Sequence, residues 1–166
     1  MNASTTKQKR VIVLQGIYDL GKTTTLLLLI QLLLRTEGSS LLAEDFNDKD
    51  RENEGPKMEG PKDPNVDRRV LISYQGKKVY VATPGDHGAD IWKSIALSEI
   101  RGCDILVTAA RSKGVTKTAI GKYTQLINAQ LEKITKRKAT QRIDKENEEQ
   151  AQSLKDRIDA FIKAHS

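Results

Sequence analysis

Short apolar runs rich in β-branched residues alternate with stretches of helical periodicity along the first two-thirds of the chain. Arg10-Val-Ile-Val-Leu-Gln15 is such a run and stops at Gly16, which predicts a buried parallel strand. Residues 16–21 then read as a turn. Lys22 to Arg35 is leucine-rich, contains no Gly or Pro, and is followed by Gly38, so it predicts a helix with a stop. Its apolar residues lie on nearly all sides, as expected of a helix buried on more than one face. Residues 40–43 predict a short second strand, trailed by Glu44, Asp45, Asp48 and Asp50. Residues 70–74 and 78–82 flank Gln75-Gly76-Lys77, a hairpin signal, and the second arm runs into Thr83-Pro84-Gly85. Ile91, Trp92, Ile95, Leu97 and Ile100 mark an amphipathic helix over 90–100, and Asp104-Ile-Leu-Val-Thr-Ala-Ala110 is another buried strand. Strands and helices in alternation predict an α/β fold with a mainly parallel sheet.

Two stretches depart from this rhythm. Between Ala43 and Arg69 apolar residues are scarce, three of the four prolines occur, and Glu-Gly-Pro-Lys appears twice, at 54–57 and 59–62. Such a segment buries too little surface to offset its ordering entropy, so 44–69 is expected to be a mobile loop. After residue 115 no strand signal is evident. Val115, Ala119, Tyr123, Leu126, Ile127, Leu131 and Ile134 share one helical face, and Ile143, Leu154, Ile158, Phe161 and Ile162 mark a second helix with a polar break at 147–150. The expected organisation is a flexible tail over 1–9, a core domain over 10–115, and C-terminal helices over 116–166 packed on that domain.

Composition narrows the classes of function. Hydrophobic residues make up 37% of the 166, enough for a packed core. Cys103 is the single cysteine and the two histidines, His87 and His165, are far apart, so neither a disulfide framework nor a Cys/His zinc module can form. The longest apolar run, residues 26–34 interrupted by Gln31, is about half of the roughly 20 residues that span a bilayer. The N-terminus is polar and lacks an apolar signal core, and a lone thiol suits a reducing compartment, so a cytoplasmic location without membrane attachment is expected. The net charge of +6 permits phosphate ligands or nucleic acid as partners without requiring them. In the C-terminal segment basic and acidic residues interleave, the pattern of a solvated helix face.

The most specific chemical signal is Gly16-Ile17-Tyr18-Asp19-Leu20-Gly21-Lys22-Thr23, which fits G-x-x-x-x-G-K-[ST] between a predicted strand and a predicted helix. The glycines let the backbone curl so that successive N–H groups converge on phosphate oxygens, and the helix adds its positive end. In that arrangement Lys22 bridges the β- and γ-phosphates, and the Thr23 hydroxyl, with Thr24 beside it, ligates Mg²⁺.

With these residues the chain resembles the P-loop NTPase superfamily over roughly residues 10–115. The implied fold is a three-layer α/β P-loop NTPase fold with a mainly parallel sheet, one hairpin strand and a helical C-terminal appendage. The loop with Asp19 is similar to that of elongation-factor GTPases. Thr83-Pro84-Gly85 looks like their γ-phosphate-sensing D-x-P-G element, and the segment after residue 110 is also reminiscent of them. The run Thr23-Thr24-Thr25 is instead shared with partition-type ATPases, as is a short strand ending in an acid near Asp45. Two departures stand out. Ala82 replaces the acid that begins D-x-x-G, leaving Asp86, Asp45 and Asp48 as candidates to support the metal. No N-K-x-D guanine motif follows the 104–110 strand, so ATP is favoured over GTP.

Further candidates follow from position. Arg111 and Lys113 come after a strand end, where parallel sheets bind ligands; a cation there stacks on a base, contacts phosphate, or is simply an exposed loop residue. Asp86 and His87 follow Gly85 directly, where a residue can orient an attacking water, and Asp86 can alternatively serve as the metal acid. Asp19 is either a turn residue or part of a cation shell. The expected function is binding of ATP (or GTP) with Mg²⁺ and hydrolysis of the β–γ bond as a switch. A kinase acting on a small acceptor is one alternative. The other is a non-hydrolysing nucleotide-gated binder of a protein or nucleic acid, touching its partner through the switch loops or the C-terminal helices.

Overall fold

A computed structural model describes residues 9–16, 21–45, 67–85, 87–111, 114–127, 129–136 and 143–165. The expectations for the tail, for most of the 44–69 loop, for Ile17, Tyr18, Asp19 and Leu20, and for Asp48, Asp86 and Lys113 lie outside these residues.

The described chain folds as β1 (Arg10–Gln15), α1 (Lys22–Arg35), β2 (Ser40–Glu44), β3 (Arg69–Tyr74), β4 (Lys77–Ala82), α2 (Gly88–Ile100), β5 (Ile105–Ala110), α3 (Val115–Leu126), β6 (Gln130–Thr135) and α4 (Ile143–Ala164). One six-stranded sheet runs in the order β2-β3-β4-β5-β1-β6. The pairs β4–β5, β5–β1 and β1–β6 are parallel, and β2–β3 and β3–β4 are antiparallel. The sheet is thus mostly parallel, as expected. The hairpin between β3 and β4 turns on Gln75 (φ 48°) and Gly76 (φ 80°), the two positive φ values that a tight two-residue turn needs.

Strand alternation sends neighbouring side chains to opposite cores. Ile12 and Leu14 of β1, with Val107 and Ala109 of β5, pack under α1 and α4. Val11 and Val13, with Leu106 and Ala110, pack under α2 and α3. Helices therefore cover both faces of the sheet, which explains why its central strands carry apolar residues on both faces. Leu26, Leu29, Ile30 and Leu33 of α1 are fully buried, while Leu27, Leu28, Leu32 and Leu34 are partly covered in the same core. The all-round apolar character of α1 reflects its place between the sheet and α4.

Three expectations are corrected. The single helical face through Ile134 is broken: α3 ends at Leu126, which is 81% exposed, and residues 130–135 form β6 beside β1. The three-residue spacing of Leu131 and Ile134 mimics a helical repeat, but in a strand it puts them on opposite faces. Leu131 joins the α2/α3 core and Ile134 the α1/α4 core. In consequence the C-terminal region is no helical appendage, since it supplies a strand to the sheet. The polar break at 147–150 is likewise absent. α4 runs through it, with Asn147 and Gln150 buried. Trp92, counted on the apolar face of the helix over 90–100, is 45% exposed. No helix among the described residues is long and apolar enough to cross a membrane.

Because Ala151, Leu154, Ile158 and Phe161 of α4 complete the core over α1, trimming one of them should weaken the whole domain. Ile158→Ala is expected to cost about 2–5 kcal/mol, with urea unfolding remaining a single transition. A variant that loses only α4 helicity, with the rest of the chain unfolding as in the parent, would show that α4 is separable.

Candidate functional site

The carboxyl ends of β1, β4, β5 and β6 face one edge of the sheet, and most of the predicted site residues collect there. Gly16 leaves β1 buried and donates its N–H to the Ala110 carbonyl at the end of β5 (3.2 Å). Gly21 caps α1 in the left-handed region (φ 82°, ψ 25°), the conformation that lets the chain turn into the helix. Lys22 is 6% exposed, and its Nζ reaches back to donate to the Gly16 carbonyl at 2.8 Å. The lysine thus spans the loop from helix to strand and brings its two glycine ends around one ammonium group. Thr23 and Thr24 stand half-buried in the first turn of α1, which carries no acidic residue and no side-chain cap. The uncapped N–H groups and the ammonium together make an electropositive end.

The neighbouring strand ends bring in the next residues. Gly85, after β4, packs on the end of β5 so closely that a Cβ there would lie 2.3 Å from the Ala109 carbonyl oxygen. His87 caps α2 with its backbone carbonyl, which accepts from Asp90 and Ile91, while its side chain is exposed. Arg111 follows β5 and is exposed. Gly16, Gly21, Lys22, Thr23, Thr24, Gly85, His87 and Arg111 therefore share the carboxyl edge. β4 is separated from β1 by β5, which sets the Gly85 strand roughly 10 Å from the Gly16 strand.

Asp45, expected as a metal ligand, is not at this site. Three strands intervene between β2 and β1, so Asp45 lies on the order of 19 Å from the loop. Its carboxylate accepts from Arg101 (2.6 and 3.3 Å) and from the buried Tyr80 hydroxyl (2.8 Å). Burial pushes its pKa up, but the bonds from Arg101 and Tyr80 outweigh this and hold it below the ordinary carboxylate value. The stabilisation it gives is complete above that ordinary value and fades as pH falls through the lower folded one. Asp45→Ala should cost about 1–3 kcal/mol by stranding the Tyr80 hydroxyl. It should leave the Mg²⁺ dependence of ligand binding unchanged, as thermal unfolding and calorimetry would check. A selective loss of Mg²⁺ dependence would return Asp45 to the metal.

Among the described residues no cluster of His, Cys, Asp or Glu is arranged to hold a metal ion. Among the described residues the Thr23 hydroxyl is the donor at this edge that would suit Mg²⁺, an ion that would then be carried largely by phosphate oxygens and water.

The sequence reading passed over two groups. Asn147 of α4 lies 3.2 Å from where a Gly21 Cβ would stand and accepts from the Thr25 hydroxyl at 3.2 Å, buttressing the loop exit from behind. Its signal was present: Asn147, Ala151, Leu154, Ile158 and Phe161 follow one helical stripe, and a polar residue on a buried stripe marks a specific partner. The second group is a clasp at the base of the 46–66 segment. Arg68 forks onto Glu44 (2.7 and 3.2 Å). Thr83 donates its hydroxyl to Asp67 (2.9 Å) and accepts there from the Arg68 backbone N–H (2.9 Å), while its own N–H donates to the Arg68 carbonyl (2.9 Å). Arg69, fully buried, donates to Ser94 (2.8 Å) and to the Asp90 carbonyl (3.1 Å) of α2. Residues flanking that segment are thereby fastened to Thr83 and to the helix after the Thr83–Gly85 turn. No family model matches the chain, and no curated protein or solved structure matches it.

Proposed function

We propose that the chain is a P-loop protein that binds a nucleoside triphosphate with Mg²⁺ and hydrolyses its β–γ bond as a nucleotide-dependent switch. The observation that carries this reading is the turn from β1 into α1. There Gly21 leads into an α1 N-terminus with no side-chain cap, and Lys22 Nζ folds back onto Gly16. An anionic phosphate chain entering the loop takes the Lys22 ammonium from the Gly16 carbonyl and gains the N–H groups of the helix end.

In the chemical step, water attacks the γ-phosphorus in line and the bond to the β–γ bridging oxygen breaks. The nucleoside diphosphate and inorganic phosphate are released. Lys22 holds the charge that develops on the leaving oxygen. Bound Mg²⁺ supplies neutralisation of the phosphate oxygens. His87 and Asp86, next to Gly85, are the groups that would orient the water. The clasp joining Asp67, Arg68 and Thr83 supports the switch reading, since it ties the Thr83–Gly85 turn to Asp67 and Arg68.

Release of phosphate from ATP or GTP, with no acceptor added, tests the proposal. A second reading is favoured by Ala82, buried at the end of β4 where the resemblance places an acid. In it the chain binds nucleotide without turnover and gates a protein or nucleic-acid partner. Tight binding with no phosphate release would select that reading.

A further inference from the structure

Two buried amides, Asn147 and Gln150, lie on the side of α4 whose next residues, Ala151, Leu154, Ile158 and Phe161, fill the core over α1. An amide taken out of water is costly unless its hydrogen bonds are made. Each of these side chains makes its bond at one root of the β1–α1 loop. At the exit, the Thr25 hydroxyl lies between the Gly21 carbonyl (2.9 Å) and Asn147 Oδ1 (3.2 Å), so its proton is shared by the two. The same Asn147 amide stands 3.2 Å from where a Gly21 Cβ would be, which leaves that face of Gly21 room for hydrogen alone. At the entrance, Gln150 Nε2 donates to the Thr135 carbonyl (3.1 Å). The N–H of that same peptide unit, on Lys136, donates to the Gln15 carbonyl at the end of β1 (2.6 Å). One peptide thus relays a hydrogen bond from α4 to the residue where the loop begins, and each bond polarises the next.

Lys22 ties the same two roots from the other side, through Nζ to the Gly16 carbonyl. In the triphosphate reading, that tie is given up when the ammonium turns to phosphate oxygens. The α4 bonds do not pass through Lys22, so they can stay in place when it leaves.

We propose that Asn147 and Gln150 are positioning residues for the loop. They hold its two roots at the separation that lets the N–H groups of α1 converge on phosphate once Lys22 has released Gly16. The proposal rests on the triphosphate reading above and extends it to α4, with neither amide assigned a contact to the ligand. A site held ready in this way binds more tightly than one that must be ordered as the ligand enters, so the contribution of α4 is read as phosphate affinity.

The test is calorimetric titration of the full chain with inorganic tripolyphosphate, with urea unfolding followed alongside. Asn147→Ala and Gln150→Leu should each lower tripolyphosphate affinity by up to about tenfold, the equivalent of one hydrogen bond. Thr25→Val reaches the exit bond from α1 and leaves α4 untouched, so it serves where a change in α4 prevents folding. The double variant of Asn147→Ala with Thr25→Val should lose less than the two single losses combined, because both remove one contact. A lower urea midpoint with parental affinity in the folded variants would mean that the amides serve the fold alone, and would overturn the proposal. Losses at positions 147 and 25 that simply add would overturn it too. If the parent binds tripolyphosphate through Lys22 and all three single variants bind as the parent does, the role of α4 falls and the loop reading stands. A parent chain that does not bind tripolyphosphate overturns both.

Discussion

Lys22→Ala should lower affinity for a nucleoside triphosphate on the order of a hundredfold while leaving affinity for the bare nucleoside nearly unchanged. The reason lies in what the ammonium does in each state. In the free chain Nζ donates to the neutral Gly16 carbonyl. With phosphate in the loop it would bond to charged oxygens on two phosphoryl groups. Hydrogen bonds of that kind contribute about 1.5–3 kcal/mol each, so losing them costs about 3 kcal/mol, or two powers of ten. The fold should suffer less. Alanine is a good helix former, and the Gly16 carbonyl loses one hydrogen bond, about 1 kcal/mol. Calorimetry with triphosphate and nucleoside, alongside thermal unfolding, separates the two effects. Equal losses for both ligands would contradict a phosphate role for Lys22.

Gly85→Ala should be the most damaging single-methyl change at the sheet edge. The new Cβ would fall 2.3 Å from the Ala109 carbonyl oxygen and 2.8 Å from its Cβ. Backbone atoms of a central strand cannot swing aside as a side-chain tip would, so β4 and β5 must part at their carboxyl ends. Overpacking of this kind costs about 1–3 kcal/mol, and rigid backbone places this site near the upper limit. The strain is local to the Thr83–Gly85 turn, so turnover should fall by more than triphosphate affinity does. Urea unfolding and phosphate-release rates would show it. Parent stability in Gly85→Ala would mean that β4 and β5 do not approach this closely.

Some of this molecule was legible residue by residue. β1 and β5 announce themselves as continuous apolar runs because both faces of a central parallel strand are covered. The β3–β4 hairpin is written in Gln75-Gly76, and α1 in its unbroken leucines. β6 escaped notice because it lies at the sheet edge. Only partial burial is asked of it there, and Gln130-Leu-Glu-Lys-Ile-Thr135 fits a helix as well as a strand. Asp45 was misplaced for a different reason. Sequence order puts it after the loop and helix, but strand order sets it at the far end of the sheet, against Arg101 and Tyr80.

Local chemistry determined which segments become strands and helices in the first 110 residues, and it put glycine, lysine and threonine at one strand-to-helix turn. Those properties depend on side chains within a few positions of one another. Only the tertiary structure decided what surrounds that turn: the order of the strands, the closure of Gly85 on Ala109, and the return of α4 to set Asn147 against Gly21 and Thr25. These partners lie up to 122 residues apart in the chain. They meet because buried faces on both sides of one sheet have to be covered, a condition that no local pattern records.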